Sequence, residues 1–175
     1  EDWKALDWVD RMVDSLSKVR RTSASEKESS DRVCYAETHF RWFDSGDMYS
    51  LDLALKIYRV MLKTPHVKHW LPTRMHKFDK FKSVIWDMQR LPNVCVRLSS
   101  DSVTGDILTN TMPSSTIVPY SGFLTANIAY ECPAYKQDGR CGTCRACWDA
   151  TVRVIAYPYH GKSKSKVIKI LSVKG

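Results

Sequence analysis

The chain has 175 residues, 43% of them hydrophobic, and its 27 basic and 19 acidic residues give a formal net charge of +8. This length and composition predict one globular domain, and no apolar run approaches the roughly 18 residues that a membrane span needs. No signal peptide is recognisable. We therefore expect a cytoplasmic protein without membrane contact, whose basic surface favours nucleic acid or another polyanion as a partner.

Residues 1–31 are predicted to form an amphipathic helix and a polar linker. Apolar residues recur at helical spacing through residues 3–20, from Trp3 to Val19. The stretch that follows, TSASEKESSD, has no apolar period and is predicted to be a linker. Because the chain begins at Glu1 rather than at Met, we expect a trimmed piece or missing upstream sequence.

Residues 32–161 follow a strand–helix rhythm and are predicted to form the core. The centres of the first three strand-like runs, Phe40, Val67 and Val94, are 27 residues apart each time. Strand–helix–strand units of that length predict parallel strands joined by right-handed crossovers. The predicted fold class is therefore α/β, either a partial (β/α) barrel or an open parallel sheet.

The rhythm stops after the third strand. Residues 101–123 are rich in Ser, Thr, Pro and Gly, which predicts a long loop. A fourth strand is expected in residues 124–133 and a fifth in residues 151–161. A Cys-rich stretch between them is predicted to be a metal-binding insertion, and residues 162–175 are predicted to form a basic tail or a last strand.

Polar residues follow each predicted strand, at the end where parallel α/β folds bind their ligands. If the strands are parallel, these residues share one pole of the sheet, which predicts a ligand site there. Each of them also has an ordinary alternative, because such an aspartate is more often a cap or turn residue. The predicted ligand-binding residues are Asp44, Ser45, Gly46, Asp47, Thr73, Arg74, Ser99, Asp101 and His160.

Four of the six cysteines lie within 16 residues, and this is the most specific signal in the sequence. Cys141, Cys144 and Cys147 repeat a Cys-x2-Cys spacing, and Cys132 precedes a proline. Such spacing wraps a [4Fe–4S] cluster, whereas Zn²⁺ also accepts four thiolates. Three cysteines at i, i+3 and i+6 crowd a single Zn²⁺ more than a cubane, so we expect a [4Fe–4S] cluster, with zinc as the alternative. A disulfide framework is less expected, since its cysteines are usually spread along a short secreted chain.

Four segments, FRWFDSGDMYS, HVKHWLPTR, LPNVCVRLSSD and CPAYKQDGRCGTCRACWD, together resemble the phage and plasmid gene product eighty-eight family. The resemblance runs from about Phe40 to His160. Ser45-Gly46-Asp47, Thr73-Arg74, Ser99 and the four cysteines match positions of the family's motifs. That family is similar to radical S-adenosylmethionine proteins, which implies a pocket at the strand ends, S-adenosylmethionine as a further cofactor, and the cytoplasm of an infected or plasmid-bearing cell.

The chain departs from that family before its first strand. Family members carry a further cysteine group that includes Cys-Tyr-Ala, but here Cys34-Tyr35-Ala36 directly precedes the first strand, and we interpret it as chance. With no Cys-x3-Cys-x2-Cys motif, the chain has no complete ligand set for a cluster that cleaves S-adenosylmethionine. This departure argues against radical chemistry by the chain alone.

Two functional hypotheses follow. The first is a phage- or plasmid-type metal- or iron–sulfur-binding protein with a radical-S-adenosylmethionine-like pocket, in which Arg74 would bind a carboxylate or phosphate. The second is a non-catalytic phage protein that binds nucleic acid or a host protein through its basic surface and tail. In the second hypothesis the cysteines hold a structural zinc that contributes only to folding.

Overall fold

The chain divides into two units, Glu1–Val96 and Arg97–Gly175, and each is described separately. The boundaries predicted near residues 31 and 161 lie outside the described residues. Within the first described range, side chains are described up to Lys18. The computed structural model describes residues 2–26, 39–101, 105–108, 111–123 and 130–159.

The first unit alternates strands and helices after an N-terminal helix. This confirms the predicted strand–helix–strand rhythm, and a short 3-10 helix, Met75–Lys77, follows the second strand. The third strand, Val94–Ser99, begins in this unit and ends in the second, and we call it β3. The other elements of the first unit are α1 (Trp8–Glu26), β1 (His39–Arg41), α2 (Leu51–Lys63), β2 (Lys68–Thr73) and α3 (Asp79–Gln89).

Helix α2 begins after an N-cap serine and ends two residues before a proline. The Ser50 hydroxyl accepts a 3.2 Å hydrogen bond from the Leu53 amide, an N-cap that satisfies one of the free amides of the first turn. The helix ends before Thr64 and Pro65, because proline lacks an amide hydrogen and disfavours helical geometry in the residue before it. Its buried face consists of Leu53, Ala54, Ile57, Val60 and Met61.

The buried side chain of Asn93 lies against the backbone carbonyls at and beyond the C-terminal end of α2. The Asn93 amide Nδ2 lies 3.1–3.2 Å from the carbonyl oxygens of Met61, Thr64 and Val67. The Asn93 carbonyl in turn accepts a 2.8 Å hydrogen bond from the backbone amide of His69. Carbonyls at a helix end have no partner within the helix, so a buried amide that reaches them avoids a desolvation cost.

Helix α1 differs from the prediction at both ends. It begins at Trp8 rather than near Trp3, and it continues to Glu26 through the first half of the predicted linker. The segment TSASE lacks an apolar period, but it also lacks Gly and Pro and contains helix-forming Ala and Glu. The linker prediction is therefore wrong for residues 22–26, and its remainder lies outside the described residues.

The second unit completes the sheet with strands β4 (Ser114–Val118), β5 (Tyr130–Glu131) and β6 (Val154–Pro158). The hydrogen-bonded order is β1-β2-β3-β4-β6-β5, and every pairing with a described register is parallel. The predicted α/β class and open parallel sheet are confirmed. No described helix is long and apolar enough to cross a membrane.

Strand β4 lies inside the segment that was predicted to be a loop, so that prediction is wrong for residues 114–118. Its five residues pair in register with β6, from Ser114 opposite Val154 to Val118 opposite Pro158. Two serines and a threonine give the segment a loop-like composition, yet all three side chains are buried. β-branched residues from Thr116 onward favour strand geometry, and buried parallel strands do not show the alternation that reveals half-exposed ones.

Strands β5 and β6 are adjacent and parallel, so the chain between them is a crossover connection. This segment, residues 132–153, contains the four clustered cysteines, and we call it the cysteine connection. Parallel crossovers usually contain an α-helix. This one contains only two short 3-10 helices, Pro133–Lys136 and Ala146–Trp148.

Candidate functional site

Asp47, in the turn that follows β1, contacts the end of the neighbouring parallel strand β2. Asp47 Oδ1 accepts hydrogen bonds from the Thr73 hydroxyl at 2.8 Å and from the Met48 amide at 2.7 Å. Asp47 Oδ2 accepts a 2.7 Å bond from the backbone amide of Arg74. Asp47 thus contacts two other predicted site residues, Thr73 and Arg74, which lie 26 and 27 positions further along the chain. Its carboxylate holds the turn after β1 to the end of β2.

The other predicted ligand residues of the first unit are more exposed. The Asp44 side chain is 97% exposed and lies 3.7 Å from the Arg41 guanidinium. Ser45 is exposed as well, and Gly46 has φ +82° with open space where a Cβ would lie. This positive φ favours glycine at a turn, which is a structural reason for the Ser45-Gly46-Asp47 motif. A ligand-binding role for these residues stays a prediction.

Ser99 is the last residue of β3, and Asp101 follows that strand in the second unit. Ser99 pairs with Ser115 across β3 and β4, and Asp101 is exposed. Their predicted role in ligand binding is untested by this geometry. His160 and Cys34 lie outside the described residues.

The cysteine connection is fixed to the sheet at both ends. The Cys132 amide donates a 2.9 Å hydrogen bond to the Ala156 carbonyl of β6, directly after β5. Cys147 is buried, with 6% of its surface exposed, whereas Cys141 is exposed and Cys144 is half-buried. None of the described cysteines forms a disulfide.

The four thiols lie near enough to interact electrostatically. Burial raises the pKa of Cys132, and the neighbouring Cys141 and Cys144 raise this pKa further. Burial likewise raises the pKa of Cys147 to about 11, with added contributions from Cys132 and Cys141 and an opposing one from Arg97. Negative charge on the neighbouring thiols thus disfavours the thiolate form of Cys132 and of Cys147, and a cation among them would offset that effect.

Arg97 holds the second half of the cysteine connection. Its side chain is completely buried and donates only to backbone carbonyls in the bonds described here. Nε donates to Cys147 O at 3.0 Å, and the other two guanidinium nitrogens donate to four further backbone carbonyls at 2.6–3.3 Å. These remaining acceptors are the carbonyl oxygens of Ser114, Ala146, Asp149 and Val152.

Two tyrosines place their hydroxyls on two of the thiols. Tyr130 Oη lies 2.9 Å from Cys144 Sγ, and Tyr157 Oη lies 3.5 Å from Cys147 Sγ. The hydrogen bond with Cys144 is the main reason that the pKa of Tyr130 rises to about 12. Burial raises the pKa of Tyr157 well above its ordinary value. Both hydroxyls therefore stay protonated at neutral pH and are able to donate to a thiolate.

The donor set suits thiolate-binding metals, but its side chains do not converge. Across the described residues, no group of three or more His, Cys, Asp or Glu side chains is placed to hold a metal ion. Glycines flank Cys141, with φ +76° at Gly139 and +53° at Gly142, so the backbone here adopts turns that other residues rarely make. The chemistry of four clustered thiols thus fits Zn²⁺ or an iron–sulfur cluster, and the predicted metal centre stays a proposal.

Comparison with protein families identifies the chain. The family model described as gene product 88 matches residues 1–150. The chain belongs to this family. No curated protein and no solved structure matches the chain, so the expected similarity of the gene product 88 family to radical S-adenosylmethionine proteins has no support from these comparisons.

Sequence reasoning missed three residues that shape the cysteine connection of this gene product 88 protein: Arg97, Tyr130 and Tyr157. Arg97 did leave a signal, because it interrupts the apolar run VCVRLS in the middle of a predicted strand. A buried arginine needs several acceptors, so its position alone indicated a specific polar contact. The tyrosines left no such signal, since their contacts depend on how β5 and β6 pair.

Proposed function

We propose that this gene product 88 protein binds metal and that Cys132, Cys141, Cys144 and Cys147 hold a thiolate-ligated centre within the cysteine connection. The observation that carries the proposal is the crossover itself. Four free thiols occupy a connection between adjacent parallel strands that contains no α-helix. Thiolate–metal bonds would supply the cohesion that a packed helix supplies elsewhere, because binding energy at such a site is folding energy.

The ends of the connection support this proposal because they are already ordered around the thiols. The β6 carbonyl of Ala156 holds Cys132, and the Arg97 guanidinium holds the Cys147 carbonyl. The Tyr130 hydroxyl is placed to donate to Cys144. Hydrogen bonds to ligating atoms orient metal ligands and tune the metal. Binding would require the thiols, Cys141 above all, to converge further.

The identity of the metal decides what the centre does. A [4Fe–4S] cluster, which the spacing favours, would supply one-electron transfer. Zn²⁺ would supply a structural clasp without redox chemistry. In either case the residues of this chain bind and orient the centre, and the buried Arg97 charge near Cys147 favours its thiolate.

Elemental analysis and a visible spectrum on protein purified without oxygen test the proposal. About four irons per chain with broad absorbance near 400 nm indicate a cluster, and about one colourless zinc per chain indicates a clasp. Cys144→Ser should lower the metal content, whereas Cys95→Ala, which removes a buried thiol of the first unit, should leave it unchanged. Protein without stoichiometric metal under these conditions contradicts the proposal.

The second candidate is a non-catalytic protein with a structural zinc that binds nucleic acid or a host protein. The formal net charge of +8 favours such a partner, and the two carboxylate oxygens of Asp47 already accept three hydrogen bonds from its own unit. These hydrogen bonds weaken the case for a small-molecule pocket lined by Asp47, and with it the case for S-adenosylmethionine. Deleting residues 162–175 should abolish such partner binding. Unchanged binding of nucleic acid and of host proteins from a cell extract would contradict a role for the tail.

A further inference from the structure

A groove on the first unit lies between the start of the chain and α2. Its volume is about 400 Å³, within the range of small-molecule sites. The groove belongs entirely to the first unit, and its function does not depend on the metal centre proposed above. We call it the α2 groove, and it is lined by Trp3, Lys4, Asp52, Leu55, Lys56 and Arg59.

The α2 groove carries unbalanced positive charge. Its lining contains three basic residues, Lys4, Lys56 and Arg59, and one carboxylate, Asp52. No ion pair to the side chain of Lys4 or Arg59 occurs in the part of the chain that the structure describes. Nearby basic residues on α1 and α2 differ in this respect, since Lys63 pairs with Asp10 at 2.7 Å and Arg11 with Asp7 at 3.2 Å.

The walls of the groove are held by specific contacts. Lys56 Nζ donates to the carbonyl oxygens of Trp3 at 2.9 Å and Ala5 at 2.8 Å, which fixes the start of the chain onto α2. The same ammonium lies 5.8 Å from the Trp3 ring centroid. Tyr49 packs against the Trp3 ring edge to face, with centroids 5.8 Å apart. Trp3 is therefore a fixed aromatic wall, and a preformed wall lowers the entropic cost of binding.

We propose that the α2 groove binds a nucleoside phosphate unit, either a free nucleotide or one residue of a single-stranded nucleic acid. The half-buried Trp3 offers ring surface for stacking with a base. Arg59 and Lys4 bind the phosphate, the guanidinium through paired hydrogen bonds. Asp52 accepts hydrogen bonds from sugar hydroxyls or a base amine. This combination distinguishes the groove from a basic surface that attracts any anion.

Isothermal titration of the full chain at low salt tests the proposal, with adenosine 5′-monophosphate, an eight-nucleotide oligothymidylate and inorganic phosphate as probes. Arg59→Gln should weaken binding of the nucleotide or the strand by about tenfold or more, since a charged hydrogen bond is lost. Lys82→Gln is the matched control, because it removes a charge from α3 outside the groove and should change affinity by no more than about twofold. Arg59 is exposed, so its replacement should leave the melting temperature unchanged.

Each outcome distinguishes the sources or overturns the proposal. Binding of the monophosphate that Arg59→Gln weakens supports a free nucleotide, and binding of the oligothymidylate alone with the same sensitivity supports a strand. Trp3→Leu should weaken the nucleotide more than inorganic phosphate. No binding of either probe, binding that Arg59→Gln leaves unchanged, or equal affinity for inorganic phosphate and the monophosphate overturns the proposal.

Discussion

Arg97 donates a 3.0 Å hydrogen bond from Nε to the carbonyl oxygen of Cys147, which lies 50 residues further along the chain. The guanidinium has no exposed surface, and four other carbonyls complete its surroundings. Burying a charge is costly unless it is fully hydrogen-bonded. The arrangement therefore fixes the second half of the cysteine connection onto the strand that carries Arg97.

Replacing Arg97 by Met should lower the free energy of unfolding by about 3 kcal/mol or more, because buried carbonyls would lose their donors. Arg97→Lys keeps the charge but offers only three hydrogens in another geometry, so it should cost about 1–3 kcal/mol. Urea denaturation measures both, with Arg140→Lys, an exposed change in the same connection, as the control. Hydrogen exchange should locate the loss in residues 146–153, and equal stability of all three variants would refute this account.

His69 should make the free energy of unfolding depend on pH. Thr64 Oγ1 donates to the Val60 carbonyl at 2.7 Å, so it accepts from His69 Nε2 at 2.9 Å. His69 Nδ1 is buried without a partner among the described residues, and the ring stacks on Trp42. Burial lowers the pKa of His69 to about 4, partly opposed by the Thr64 backbone carbonyl and with a smaller lowering by His66. The folded protein thus keeps this imidazole neutral.

Since the pKa of His69 is lower in the folded state than in the unfolded state, the unfolded chain takes up the proton first as the pH falls. The contribution of His69 to the free energy of unfolding should be fully present above pH 6.5. It should decrease as the pH falls from 6.5 to 4, by about 3 kcal/mol in total. His69→Gln should remove that part of the pH dependence. Denaturation at several pH values measures it, and parallel curves for the two proteins would contradict the role of His69.

Asp47 should matter to the strand ends that it joins. Asp47→Ala removes the acceptor for the Thr73 hydroxyl and the Arg74 amide, which should destabilise the first unit by about 1–3 kcal/mol. Asp44→Ala removes a carboxylate of the same turn whose exposed pairing with Arg41 contributes little. Thermal melting of the two variants makes the comparison. A loss of stability as large for Asp44→Ala as for Asp47→Ala would contradict the contacts described.

In the metal-loaded protein, Tyr130→Phe should speed the transfer of metal to a chelator by about tenfold, because loss of an outer hydrogen bond weakens metal binding. Tyr135→Phe is the matched control, since Tyr135 lies in the same connection and is 48% exposed. Stopped-flow absorbance with a chromogenic chelator follows the transfer. Equal transfer rates for the two variants would show that the Tyr130 hydroxyl does not support the centre.

The alternation of strands and helices in the first unit was predictable because α2 carries clear start and stop signals in its sequence. Ser50 caps the helix, and Pro65 follows its end. The meeting of Asp47 with Thr73 was also predictable, since parallel strands bring their carboxyl ends together. Local sequence and strand direction were sufficient there.

The second unit was less predictable because its order depends on pairing rather than on local signals. Strand β4 consists of SSTIV between Pro113 and Pro119, which reads as a loop until its partners are known. Strand β6 lies between β4 and β5, although β5 precedes it in sequence. The contacts of Tyr157 with Cys147 and of Arg97 with the cysteine connection follow from that order, so they could not be derived from spacing.

The position of β5 also sets the sequence of events during synthesis on the ribosome. Residues 130–131 emerge from the exit tunnel before residues 154–158, yet among the described strands β5 has β6 as its only neighbour. The nascent chain must therefore wait for β6 before Cys132 gains its backbone partner at Ala156. Until then Cys132 lacks the backbone hydrogen bond that fixes it to the sheet. Docking of the start of the cysteine connection onto the sheet therefore follows the synthesis of β6.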